Sequence, residues 1–217
     1  MFKIDLHTHS IASPDGGISG QQYEQALTSG KLDAIAITDH KTAEFALQMQ
    51  QQLGDRIIVG EEIMTTRGEI IGLYLSQTIP SGLSPAETIQ QIKAQGGIVY
   101  IPHPFETIRS GLSPQTLEEI AKDIDLIEIC NGRAFLQNRS SQTVVWSRLN
   151  NVVGAASSDA HGSLGLGKTY SSLSAMPTKE TLIELLQRAT HHTGRPGART
   201  LLYPKYHKLR KKIRKSK

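Results

Sequence analysis

The chain has a single cysteine, Cys130, so no disulfide can form within it; the fold must be held by burial, and a reducing compartment is expected. Long apolar runs are missing as well. None approaches the roughly 20 residues that a membrane helix needs, which excludes a bilayer-spanning role. No basic segment followed by a long apolar region and a small-residue cleavage site opens the sequence, so no secretory signal is read and a cytoplasmic protein is expected. The glycine-bearing loop from Gly162 to Gly167 lacks the pattern of a nucleotide-binding P-loop, although Lys168 follows it. What is present is 217 residues, 38% hydrophobic and 20% charged, enough for one sizeable core in a single α/β domain and cramped for two.

The net charge of +4 is unevenly placed. Lys205, Lys208, Arg210, Lys211, Lys212, Arg214, Lys215 and Lys217 crowd the last stretch with no acid among them, so the body before it is net acidic. An acidic body suits a site for several cations, and a basic tail suits contact with a polyanion such as nucleic acid; a solvated solubilising extension is the plain alternative. The chain therefore divides into a domain over 1–190 and, over 191–217, a turn-rich connector, Thr193 to Thr200, with the basic tail.

Read in order, short apolar runs alternate with helical patterns. Phe2 to Leu6 is a strand leading into Asp5-Leu6-His7-Thr8-His9-Ser10, and Ser13-Pro14-Asp15-Gly16-Gly17 is a tight loop. Ser19 caps a helix through about Ser29, and Asp33 to Ile37 is a buried strand ending in Thr38-Asp39-His40. A helix from Ala43 to Leu53 precedes a strand, Arg56 to Val59, which ends in Gly60-Glu61-Glu62; Gly68 to Leu75 is another strand. Ser84-Pro85 opens a helix over Ala86 to Gln95, and Ile98 to Ile101 ends in Pro102-His103-Pro104. Ser113-Pro114 opens the next helix, Asp125 to Cys130 ends in Asn131-Gly132-Arg133, a helix spans Ser140 to Leu149, and Val152 to Ala156 ends in Ser157-Ser158-Asp159-Ala160-His161. Thr178 to Ala189 is the last helix expected.

The alternation predicts an α/β fold, a barrel in preference to an open doubly wound sheet. In a parallel barrel the C-terminal strand ends share one face, which would bring His7, His9, His40, Glu62, His103, Asp159 and His161 together. His7 and His9, two apart, leave their strand on the same side. Five of the eight histidines fall at such strand ends, while His191, His192 and His207 do not. Five imidazoles with Asp15, Glu62 and Asp159 exceed what one four-coordinate ion can use, so two or three divalent ions are expected, with zinc, manganese and iron all suited to the nitrogen and oxygen donors. Closely spaced divalent ions lower the pKa of a bridging water and stabilise the oxygens of an in-line displacement, as phosphate ester hydrolysis requires. No serine or cysteine nucleophile is needed, and Cys130 is expected to pack as a small hydrophobe.

The five clusters Asp5 to Ser10, Thr38 to His40, Gly60 to Glu62, Pro102 to Pro104 and Ser158 to His161 resemble, in order, the motifs of the PHP (polymerase and histidinol phosphatase) family, and the resemblance runs to about Leu173. It implies a distorted seven-stranded barrel, a trinuclear metal site and metal-dependent phosphoesterase activity. His7, His9, Asp15, His40, Glu62, His103, Asp159 and His161 match the family's metal-ligand positions, with Glu61 the alternative to Glu62. Two departures stand out: Glu69 occupies a position where some members have histidine, and no histidine follows Asn131-Gly132-Arg133, where only Asn131, Gln137 and Asn138 offer themselves.

Arg109 and Arg133 are the candidates for gripping phosphate, since a guanidinium binds it bidentately. Asp39 is a candidate to orient a ligand histidine or to act in the chemistry. The expected substrate is a phosphorylated small molecule, a nucleotide or an RNA end; a non-enzymatic module binding nucleic acid through the tail, and a histidinol phosphatase, are the alternatives.

Overall fold

Hydroxyl caps set the start of three helices. Ser19 accepts from the Gln22 N–H while the Gln22 side chain returns to the Ser19 backbone, Ser84 and Glu87 form the same reciprocal pair ahead of Pro85, and Ser113 accepts from Thr116. Each such cap contributes about 1 kcal/mol. The computed structural model describes residues 1–135 and 137–215. Along it run β1 (Phe2–Asp5), α1 (Gly20–Thr28), β2 (Ala34–Ile37), α2 (Glu44–Leu53), β3 (Ile57–Thr65), β4 (Gly68–Leu73), α3 (Pro85–Ala94) and β5 (Ile98–Ile101). There follow α4 (Pro114–Ile120), β6 (Leu126–Asn131), α5 (Ser140–Asn150), β7 (Val153–Ser157), β8 (Thr169–Leu173), α6 (Leu182–Gln187), β9 (Thr190–Thr193) and α7 (Tyr203–Lys215).

The strands form one sheet in the order β7-β6-β5-β4-β3-β2-β1-β8-β9. β1, β2 and β3 are parallel, as are β5, β6 and β7; β4 runs against both its neighbours because it returns directly from β3 through a hairpin turn. Gly68 begins the return at φ 133°, which a side chain would oppose. Beyond β1 and β7 the chain continuations meet, Thr8 bridging Ala160 and the His9 N–H donating to the Ala160 carbonyl at 2.8 Å. At the other end of this seam β8 is wedged in, antiparallel to β1, with the Ala156 N–H donating to the Ser171 hydroxyl at 3.0 Å.

The result is the expected distorted, nearly closed α/β barrel, its sheet of nine strands counted among the described residues. β1 to β7 supply seven of them, and β8 and β9 extend the sheet beyond β1. Side-chain alternation divides the core. Ile35 and Ile37 of β2 pack into a cluster with Tyr23, Ala46 and Met49 of the surrounding helices, whereas Ala34 and Ala36 join Ile4, Ile58, Ile71, Tyr100 and Leu126 in a second cluster that Leu182 and Leu186 of α6 complete.

The C-terminal region departs from expectation. The boundary expected between residues 190 and 191 falls inside β9, which pairs with β8 through its backbone and so needs no apolar pattern of its own. The helix expected over Thr178 to Ala189 is shorter, α6 alone. Lys205, Lys208, Arg210, Lys211 and Lys212 of the basic segment lie on α7, which returns to the ring: Tyr203 lies over Gly162, His207 lies over Gly17, and Lys211 bonds to the loop after β1. Lys217 lies outside the described residues. Among the described residues, no helix is long and apolar enough to cross a membrane.

Candidate metal centre

The C-terminal parts of the strands and one loop bring all eight expected ligand residues together. His7 and His9 follow β1, His40 follows β2, Glu62 lies within β3, His103 follows β5, and Asp159 and His161 follow β7. Asp15 comes from the loop between Ser10 and Ile18, two residues that themselves bridge. The Glu62 carboxylate is central: one oxygen lies 3.2 Å from Nε2 of both His7 and His9 and 3.5 Å from Nε2 of His40, while the other lies 3.0 Å from Nε2 of His103. Asp159 Oδ1 is 3.4 Å from His9 Nε2 and 3.6 Å from His7 Nε2. Asp15 Oδ2 is 3.5 Å from His161 Nε2 and 3.8 Å from His40 Nε2.

Among the described residues, four overlapping groups have donor atoms within 4.8 Å of one another: His9, Asp15, His40 and His161; His7, Glu62 and His103; His7, His9 and Asp159; and His40, Glu62 and Glu69. These clusters are consistent with a multinuclear metal site. The Glu69 departure therefore brings a carboxylate to the cluster, 3.7 Å from His40 Nδ1 and 3.6 Å from His103 Nε2. Gln137, at the second departure, instead accepts from the Thr107 N–H at 2.9 Å.

The donor set itself fits divalent ions. His7 Nδ1 lies 3.1 Å from Glu128 Oε1 and its Nε2 lies 3.1 Å from the His9 Nε2; a ring proton held on Nδ1 by the carboxylate would leave Nε2 free to bind a cation. Two imidazole nitrogens and a carboxylate oxygen at that spacing share positive charge, carried by a proton on a ring or by a metal ion, and against its burial the buried carboxylates raise His7 well above the usual imidazole range. Protonation shows the same demand. Burial would depress the His9 imidazole, but the Asp159 and Glu62 carboxylates outweigh it and raise it to about 9. Burial, then the charges of Glu62 and Asp159, push Glu69 up to about 9. Burial, with His9 and Arg133 beside it, holds His161 down to about 3. Protons gather on part of the cluster to offset its carboxylates, and a divalent ion would displace them.

Backbone strain collects here too. His103, between Pro102 and Pro104, has φ 27°, and Asp159 has φ 50°, left-handed conformations that cost a non-glycine residue about 1 kcal/mol or more each. Gly16 lets the Asp15 loop lie against His9 and Ser10, where a Cβ would strike both residues.

The remaining expected residues surround this cluster. Asp39 is buried and accepts from the Ser10 N–H at 2.6 Å and the Ser10 hydroxyl at 2.5 Å, so it holds the backbone just after His9 in place of an imidazole ring. Arg109 Nη1 donates to Asp159 Oδ2 at 2.5 Å and to Asn131 Oδ1 at 2.8 Å, with Glu106 2.7 Å from its other end. Arg133 Nη1 is 3.4 Å from Asp159 and 3.3 Å from His161 Nδ1. Both arginines line a cavity of about 330 Å³ with Glu62, Glu69, His103 and His161. Glu61, the other reading of the adjacent acids, accepts from the Ile79 N–H at 2.8 Å instead of joining the cluster.

Sequence reasoning missed Glu128. It takes the His7 ring proton on one oxygen, and its other oxygen accepts from the His103 N–H at 2.7 Å and the Asn131 amide at 2.8 Å. Its signal was an acid inside the otherwise apolar run Ile127-Glu128-Ile129. Lys205 and Lys208 were counted only as tail, yet both line the same cavity as the cluster.

No protein-family model matches the chain. It is 36% identical over 143 residues to the uncharacterized protein MJ1587 of Methanocaldococcus jannaschii, a match covering 60% of this chain and 82% of that protein. Its structure superposes with a TM-score of 0.71 and 20% identity on a two-domain protein of Bacteroides vulgatus containing a predicted PHP-like metal-dependent phosphoesterase, covering 95% of this chain and 69% of that one. It also superposes, with a TM-score of 0.59 and 14% identity, on endonuclease Q in complex with a 27-mer duplex substrate with an abasic lesion at its active site, covering 84% of this chain and 56% of that one.

Proposed function

Because the chain belongs to one family with MJ1587 and has the fold of the PHP-like metal-dependent phosphoesterases, we propose that it is itself a phosphoesterase, hydrolysing a phosphomonoester or a nucleotide or oligonucleotide phosphate. The observation that carries this reading is the Glu62 carboxylate held within 3.5 Å of four imidazole nitrogens. In it, His7, His9, Glu62, His103 and Asp159, with Asp15, His40 and His161 beside them, would hold the divalent ions. Such ions would supply a water acidified toward neutral pH and positive charge for the phosphoryl oxygens.

The protein's own groups do the rest. Glu128 keeps the His7 ring proton on Nδ1 and braces the His103 backbone, fixing both rings toward the centre. Arg133 and Arg109, on the cavity wall beside Asp159, present guanidinium hydrogens to phosphoryl oxygens as negative charge builds on them. Lys205 and Lys208 extend this positive wall from α7, which supports a substrate with charge beyond the scissile phosphate, and the fold shared with endonuclease Q agrees with a nucleic acid among the candidates.

The test is phosphate release from phosphomonoesters, nucleotides, bisphosphorylated nucleosides and 5′-phosphorylated short RNA, with added manganese or zinc and a chelated control. Chelator-sensitive turnover on one class is expected, and Arg133→Ala should raise KM for that class about tenfold, the size of one charge-assisted hydrogen bond. Silence across the panel from protein that binds metal would overturn the enzyme reading in favour of a binding module.

A further inference from the structure

The loop that delivers Asp15 is held both from within and from outside. Within it and at its base, the Ile11 N–H donates to the Ile18 carbonyl at 2.9 Å, the Ile18 N–H to the His9 carbonyl at 3.4 Å, the Ala12 N–H to the Ser10 hydroxyl at 2.9 Å, and the Ser13 hydroxyl to Asp15 Oδ1 at 2.8 Å. Three of its carbonyls, those of Ile11, Ser13 and Gly16, converge on one point, which is filled by the Lys211 ammonium of α7. The contacts to Ile11 and Gly16 are 2.8 Å each. An ammonium has three protons and no acceptor, so three carbonyls satisfy it fully. Without it, three carbonyl dipoles would point their negative ends at one another, and the loop would relax by turning them outward to water. Two neighbours on the same face of α7 reinforce the contact. His207 lies over Gly17, where a Cβ would strike its ring, and Lys208 Nζ is 3.7 Å from Asp15 Oδ2.

We propose that Lys211 is a positioning residue of the metal centre: by clamping the three carbonyls it holds the 11–17 loop in the one conformation that keeps the Asp15 carboxylate among His9, His40 and His161. The C-terminal helix is thereby part of the centre, and metal at the Asp15 position and order in α7 support each other. This rests on the reading of the cluster as a metal site and adds to it a residue remote in sequence from every ligand. Its effect is local, because Glu62 lies in, and His7, His103 and Asp159 lie just after, strands that these Lys211 contacts do not involve.

The experiment measures metal, not turnover. Full-length protein is stripped with a chelator and equilibrated with manganese(II) over a range of concentrations, and bound metal is counted by elemental analysis. Lys211→Met, which keeps the length of the stem, should weaken one ion about tenfold or more, the usual cost of losing an outer support of a ligand. That ion should be the one lost in Asp15→Asn, so the double variant should bind no less than Asp15→Asn alone. Lys211→Arg should restore part of the loss, and the thermal midpoint of the metal-free protein should stay near the parent value. Parent-like binding of every ion by Lys211→Met would overturn the proposal, as would equal weakening of all ions. Should Lys211→Met not fold, Lys211→Gln, which keeps two donors without the charge, is scored by the same criteria. A parent protein that binds no metal would overturn the metal-centre reading itself, and the Lys211 proposal with it.

Discussion

At the ends of β1, β2, β5 and β7, five imidazoles stand among the carboxylates of Asp15, Glu62, Glu69 and Asp159; on β9 two more are spent on packing, His191 against the Ser171 hydroxyl at 3.1 Å and His192 stacked on Tyr170 with ring centroids 4.6 Å apart. The residue type is the same and the surroundings are opposite. In the first region burial works against charge on His9, yet the carboxylates raise it to about 9. In the second, burial and then the neighbouring His192 lower His191. An imidazole surrounded by buried carboxylates is part of a cation site, whereas one beside a hydroxyl and a phenol ring is a polar packing residue. Strand direction creates the difference. Parallel strands gather their C-terminal ends on one face, while β9 is an antiparallel strand at the end of the sheet, paired with β8.

The sharpest way to break this comparison is to change one residue in each region. Glu62→Gln removes the carboxylate shared by four imidazoles and should lower metal-dependent phosphate release by about a thousandfold, the order seen when a preorganised charge partner of a reaction is lost. His192→Ala should leave turnover within about twofold, as expected of a substitution remote from any catalytic group. Steady-state rates on one phosphomonoester check both, and equal losses would erase the distinction.

A smaller effect is expected one layer out. Glu128→Gln can still accept the His7 ring proton but loses the charge that strengthens that bond, so metal affinity should fall about tenfold. Competition with a chromogenic chelator measures it. Unchanged affinity would show that strand geometry alone orients His7.

The smallest effect separates the two adjacent acids. Burial raises the Glu61 carboxyl from 4.5 to about 7, so the folded protein binds a proton there that the unfolded chain releases. Its contribution to stability is complete below pH 4.5 and is lost as pH rises through about 7. Glu61→Gln, which keeps a carbonyl for the Ile79 N–H, should flatten that decline by on the order of 1 kcal/mol. Urea unfolding of the metal-free protein at pH 5 and pH 8 checks it; a parallel pair of pH profiles would mean that Glu61 does not titrate in this range.

Much of the site was legible because a polar residue that ends an apolar strand is conspicuous against its neighbours. His7 and His9, His40, His103, Asp159 and His161 were all readable in this way, and the barrel followed from the regular alternation of the runs before them. Glu128 was not readable as a partner of His7, since 121 residues separate them and only the barrel brings β6 beside the end of β1. β9 and α7 were not readable as parts of the fold, because Thr190 to Thr193 has no apolar pattern and the charges after Pro204 mask the one face that docks.

What this sequence determined by itself is local: strand and helix periods, three hydroxyl caps, and donor residues placed where strands end. The resemblance favoured Glu62 over Glu61, but the physical reason is the pleat, which turns adjacent side chains to opposite sides, one into the cluster and the other to Ile79. The joining of Lys211 to Ile11, Ser13 and Gly16 across about two hundred residues was decided by tertiary structure alone. The physical reason is that carbonyl groups carry no residue identity, so a site made of them is written in the path of the backbone and not in the letters of the chain.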